Sequence, residues 1–314
     1  MSVDFKEKRI EYLNSWPKVD PFEIEKKYYD RVNTIKFECG TIFVPFKLKK
    51  NNSIPYNKTI SFIIEALEQL ERSPNLSYEF IFKAYDCLLK LYHTSICQIT
   101  DKNKMLCDNE WKNILDTELN LRRAFESLIA VIPVKACQYL YIRLSDFTGE
   151  NKAYQRVATD ISGRLTFNST KRKNIVDDIK AKYGVDYSNY GESIRKASLL
   201  YRYILKNDSV SININTYSIT MEDKLHILVS GFLYTLRNEI MHGSSISITK
   251  SSKTTLGTYA IDYFAYLLLY YLLIILIINY FSSDYPDNVY DELAENIKGN
   301  ISLYKQLFGK EIEK

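Results

Sequence analysis

The residues best equipped for chemistry are Arg237, Asn238 and His242, which fall together in Leu236-Arg237-Asn238-Glu239-Ile240-Met241-His242-Gly243. They bring a permanent cation, an amide and a titratable imidazole into one short stretch. Those groups suit cleavage of RNA at a phosphodiester, and they need no metal. Histidine moves protons near neutral pH, and a guanidinium can grip a phosphate bidentately. The same residues also read as an ordinary helix end with a basic last turn, where the macrodipole favours cations.

The elements that must position them follow from spacing. Leu225, Val229, Phe232, Leu233, Leu236 and Ile240 recur at helical intervals, which predicts one buried stripe on a helix over about 221–243. Gly231, Thr235, Asn238 and His242 form a second stripe, turned away from the first at about 100° per residue. On such a helix Asn238 and His242 are i, i+4 neighbours, and Arg237 lies at the border between the stripes. Gly243 fits the left-handed position that ends a helix, and Ser244 and Ser245 follow as turn residues. His242 is then expected in the last turn, where the helix dipole favours its protonated form.

The stretch from Leu228 to Gly243 resembles the signature helix of the HEPN superfamily, whose motif is Arg, four to six residues, then His, often with Asn after the Arg. It is particularly similar to the ApeA-like HEPN proteins of bacterial defence systems. The close resemblance covers about 20 residues. It implies a helical bundle that dimerises, so that two motifs share one cleft, and a metal-independent endoribonuclease acting as a toxin or in antiviral defence. The functional positions carried over are Arg237, Asn238 and His242. In such a reaction the ribose 2′-hydroxyl attacks the adjacent phosphorus. His242 would serve as base or acid, Arg237 would stabilise the developing charge, and Asn238 would fix His242 or bond the substrate. The product ends would be a 2′,3′-cyclic phosphate and a 5′-hydroxyl, and DNA would not be cut by this route.

Composition sets the frame. The chain has 314 residues, room for one large or two small domains. Hydrophobic residues make up 46% and charged residues 25%, as in an ordinary globular protein. A net charge of +4 permits RNA binding without pointing to it. The five cysteines are widely spaced with no C-x-x-C, which argues against a zinc site or a disulfide framework. No cofactor is expected. Met1 to Arg9 is charged and lacks an apolar signal core, so a bacterial cytoplasmic location is expected.

From Tyr263 through Phe281 run 19 residues without a charge. As a helix they would be about 28 Å long, close to the thickness of a bilayer core. Basic residues do not flank the run, and tyrosines fall inside it, so a central bundle helix over about 258–281 is preferred to a membrane span. Mainly α structure is expected overall: a HEPN-like helical bundle with additional N-terminal helices and room for a small β element. Residues 1–70 read as a segment of mixed or irregular structure, with a helix from Glu23 to Val32 and β-favouring residues from Thr34 to Phe46. Residues 71–314 read as the helical region that holds the HEPN-like domain. Ser73-Pro74 starts an amphipathic helix, near the end of which His93 is expected to be structural. Asp108 is a candidate cap for the next helix, and Pro133 breaks a helical stretch. Residues 146–175 read as a polar, turn-rich segment in which Lys171-Arg172-Lys173 is a solvated run, and 207–215 as a connector.

RNA is the expected partner, together with a second copy of the chain and a restraining protein from the same operon. Two other classes stay open. One is a non-catalytic HEPN-type binding or scaffold subunit. The other is a membrane-attached effector that uses residues 263–281.

Overall fold

The computed structural model describes residues 5–17, 20–145, 152–184, 190–241 and 250–314, which are mainly helical. In chain order the helices are α1 (Phe5–Asn14), α2 (Glu23–Cys39), α3 (Ile54–Leu70), α4 (Pro74–Leu88), α5 (Ile99–Asp108) and α6 (Glu110–Thr117). They continue with α7 (Leu119–Ala130), α8 (Val134–Ser145), α9 (Lys152–Ala158), α10 (Phe167–Tyr183) and α11 (Tyr190–Lys206). A hairpin of β1 (Ser209–Ile212) and β2 (Asn215–Ser218) follows, paired antiparallel with Ile212 opposite Asn215. The chain then enters α12 (Met221–His226), a π-helical segment (Ile227–Leu233), α13 (Tyr234–Met241), α14 (Leu256–Tyr280) and α15 (Val289–Phe308).

The uncharged run is the axis of the fold. Every residue from Asp262 to Ile278 in α14 is buried, because α2, α4, α6, α8 and α15 all pack around it. The helix is long and apolar enough to cross a membrane, and here its surface is spent on other helices. The tyrosines inside it have a physical reason. The rings fill core volume, and the hydroxyls of Tyr263, Tyr270 and Tyr271 find polar partners, while those of Tyr259 and Tyr266 are buried with none among the described residues. Tyr263 donates to the Ile42 carbonyl at 2.7 Å, and Tyr270 accepts from the Phe46 amide at 2.8 Å. Tyr304, Tyr92 and Trp111 in turn donate to carbonyls of α14, at Ala260, Leu276 and Leu272.

Residues 1–70, expected to be mixed or irregular, contain three helices among the described residues. Tyr28, Val32 and Ile35 give α2 a buried face, and the Tyr28 ring centroid lies 4.5 Å from that of Tyr259 on α14. The strand expected near Thr34–Phe46 is absent: α2 runs through to Cys39, and Gly40 ends it at φ 79°. The β element is instead the 209–218 hairpin, in the stretch expected to be a connector. Its two-residue turn uses Asn213 at φ 54°, a conformation that asparagine tolerates. Pro133 separates α7 from α8, whose axes differ by 83°. Asp108 closes α5 and does not cap α6; the cap position is Asn109.

The largest departure concerns Lys171-Arg172-Lys173. This run lies on α10, and Arg172 is buried. Its guanidinium donates to Asp160 at 3.0 Å, to Glu222 at 3.3 Å and to the Val157 carbonyl at 3.1 Å. Lys171 pairs with the buried Asp223 at 2.5 Å. Ser169, Ile175, Val176 and Ile179 form the same buried face, so the arginine sits inside an apolar stripe and is stabilised by acids from other elements.

Candidate functional site at the end of the motif helix

The helix that carries Arg237 starts with a capping box. Thr220 Oγ1 accepts from the Asp223 amide, and the Thr220 amide donates to Asp223 Oδ2 at 2.9 Å. It does not continue as a uniform α-helix. From Ile227 to Leu233 it widens to π geometry, and all seven residues are buried. The widened turn is held through its carbonyls. Arg156 Nε donates to Ser230 O at 3.1 Å, and Tyr78 Oη donates to Leu233 O at 2.6 Å. Gly231 supplies the close approach to α8 and α9. A Cβ there would sit 3.1 Å from Leu140 Cδ1 and 3.1 Å from Val157 Cγ2.

This changes the two-stripe expectation. A π turn rotates the following residues away from the 100° phase, and the bundle encloses both stripes through Leu236. Gly231 and Thr235, expected on the less buried side, are in the core. Thr235 Oγ1 accepts from Arg156 Nη2 at 2.6 Å. The helix emerges only at Arg237 and Asn238, both half-buried.

There Arg237 Nη1 donates to Asn238 Oδ1 at 3.1 Å, and its guanidinium carbon lies 5.5 Å from the Phe82 ring centroid. Arg237 and Met241 share a small recess with Tyr78, Glu79, Phe82, Lys83 and Asp86 of α4. Asp86 was not apparent from the local motif. Among the described residues its buried Oδ1 has no hydrogen-bond partner, and burial pushes its pKa up to about 6, with Arg237 and Lys90 pulling the other way. Tyr78, Phe82 and Asp86 follow one another at i, i+4 and i+8, so the sequence signal was an acid on the apolar face of α4. On the far side of α13, Glu239 is paired with Arg143, whose guanidinium also lies 5.5 Å from the Tyr139 ring. Deeper in, Asp262 is buried among Tyr78, Tyr139 and Tyr259, and its pKa is pushed up to about 8 by desolvation.

His242 and Gly243, with the loop that follows to residue 249, lie outside the described residues. The structure therefore brings Arg237 and Asn238 together and adds Asp86, Phe82 and Tyr78 to their surroundings. The recess measures about 20 Å³, room for a single water. A nucleotide cannot enter it, so a phosphate reaching Arg237 must do so from the surface. Chemically the group offers a stacked guanidinium, an adjacent amide and a carboxyl that can exchange a proton near neutral pH.

In comparisons with known proteins, no family model, no curated protein and no solved structure matches the chain.

Proposed function

We propose that the chain is a HEPN-type, metal-independent endoribonuclease that works in the cytoplasm as a toxin or antiviral defence effector. The observation that carries the reading is the placement of Arg237 beside Asn238, where a rigidly held helix leaves the core. Arg237 binds the scissile phosphate and stabilises the charge that develops on it. His242, five residues on, acts as base or acid, and Asn238 orients it or the substrate. Asp86 contributes a second titratable group next to the cation. Because the recess is too small for a base, the substrate lies across the surface, which suits a cleft completed by a second copy of the chain.

The small recess also supports a second reading, a HEPN-type module that binds RNA or a partner without cutting. Induced expression separates the two. Wild type should arrest growth and degrade cellular RNA, while Arg237→Ala and His242→Ala should do neither at equal soluble yield. Degradation undiminished in both variants would contradict the catalytic reading.

A further inference from the structure

A second cluster of reactive groups lies at the opposite end of the motif-bearing helix. Asp108 closes α5, and Glu222 and His226 stand one turn apart on α12. Two carboxylates and an imidazole each offer a ligand atom here, all within 4.8 Å of one another. Asp108 Oδ1 lies 2.6 Å from His226 Nε2.

Three observations set this cluster apart from an ordinary ion-pair network. Glu222 Oε1 is held by Arg172 and Asn168, and Lys171 pairs with Asp223, whereas Asp108 has the imidazole as its one ion-pair partner among the described residues. His226 is fully buried, its Nε2 faces Asp108, and its Nδ1 has no hydrogen-bond partner among the described residues, so Nε2 is the nitrogen that would meet an ion. Asp108 and Glu222 also line a cavity of about 340 Å³, together with Asp160, Arg164, Thr166 and Asn168. That cavity gives an ion a way in and gives water room to complete its coordination.

We propose that Asp108, Glu222 and His226 form a binding site for a divalent cation of the zinc or manganese class. One imidazole with two carboxylates suits those ions, whereas magnesium and calcium favour all-oxygen sites. The ion would tie α5 to the first turns of the helix that carries Arg237. The site is separate from the cleavage chemistry and does not depend on it.

The test uses the full chain stripped with EDTA, then given zinc or manganese chloride alone. Metal content and calorimetry should find one ion per chain, and the thermal midpoint should rise with ion concentration. Asp108→Asn keeps a hydrogen-bond acceptor for His226 but removes the charge, and should bind about 10-fold weaker or less tightly still, with a smaller ion-dependent rise in thermal midpoint measured from its own metal-free value. Glu222→Gln serves the same purpose if Asp108→Asn does not fold. Absence of stoichiometric binding by the wild type would overturn the proposal, as would variants that bind as tightly as the wild type.

Discussion

The helix from Met221 to Met241 is built on opposite plans at its two ends. At the start Asp223 is paired with Lys171, Lys224 with Asp208 and His226 with Asp108, and all three helix side chains are buried. At the end, Arg237 has one side-chain hydrogen bond among the described residues, to its own neighbour Asn238, and shares its recess with a carboxyl oxygen that has no partner. A buried polar group needs a partner, and these three find theirs on α10, at the entry to β1 and on α5, so the start is tied to other elements. A guanidinium carries five N–H donors, and one internal bond leaves most of them for a ligand. The start of the helix anchors; the end is available for work.

That contrast can be broken most visibly at Arg172. Arg172→Met removes the cation from three carboxylates, of which Asp223 stays fully buried and Asp160 and Glu222 partly so, and should cost ~3–5 kcal/mol in denaturant unfolding. A loss below ~1 kcal/mol would mean the network is solvated.

Asp262→Asn should act in the opposite direction. The folded carboxyl keeps its proton up to about pH 8, against an ordinary value of 3.8. The unfolded chain therefore ionises first, and stability falls as pH climbs from about 4 to about 8, then levels off. The variant lacks this slope, so its advantage over wild type should grow across that window to a few kcal/mol, read as thermal midpoints at several pH values. Parallel pH profiles would contradict the burial of an uncompensated acid.

Gly231→Val places a side chain against Leu140 and Val157 and should cost ~1–3 kcal/mol, unlike a tolerated surface change. The smallest stability effect is expected at the working end. Arg237→Ala loses a half-buried stacking contact on Phe82 and should change stability by less than ~1 kcal/mol. A large loss there would make Arg237 another anchor and remove the asymmetry.

Much of this architecture is legible in the sequence. The central helix is visible as an uncharged run, the start of α4 as Ser73-Pro74 and the α7–α8 break as Pro133. These are signals in which local chemistry and burial agree. Arg172 was misread because a basic run looks solvated until the acids that neutralise it, Asp160, Glu222 and Asp223, are brought in by tertiary structure. The π segment leaves no periodic trace, since a helix buried all round has no polar face to reveal a change of phase. Of the candidate site, Arg237 and Asn238 are adjacent in sequence and were legible. Asp86 lies about 150 residues away on α4, and only the packing of α4 beside α13 brings it near.

Arg237 is proposed to serve 2′-hydroxyl attack on RNA. Mapping the ends left by the purified chain on single-stranded RNA, beside DNA of the same sequence, tests it most directly. RNA should be left with 2′,3′-cyclic phosphate and 5′-hydroxyl ends, DNA should stay intact, and Arg237→Ala should not cleave. RNA fragments ending in 3′-hydroxyl, or equal cutting by the variant, would contradict it.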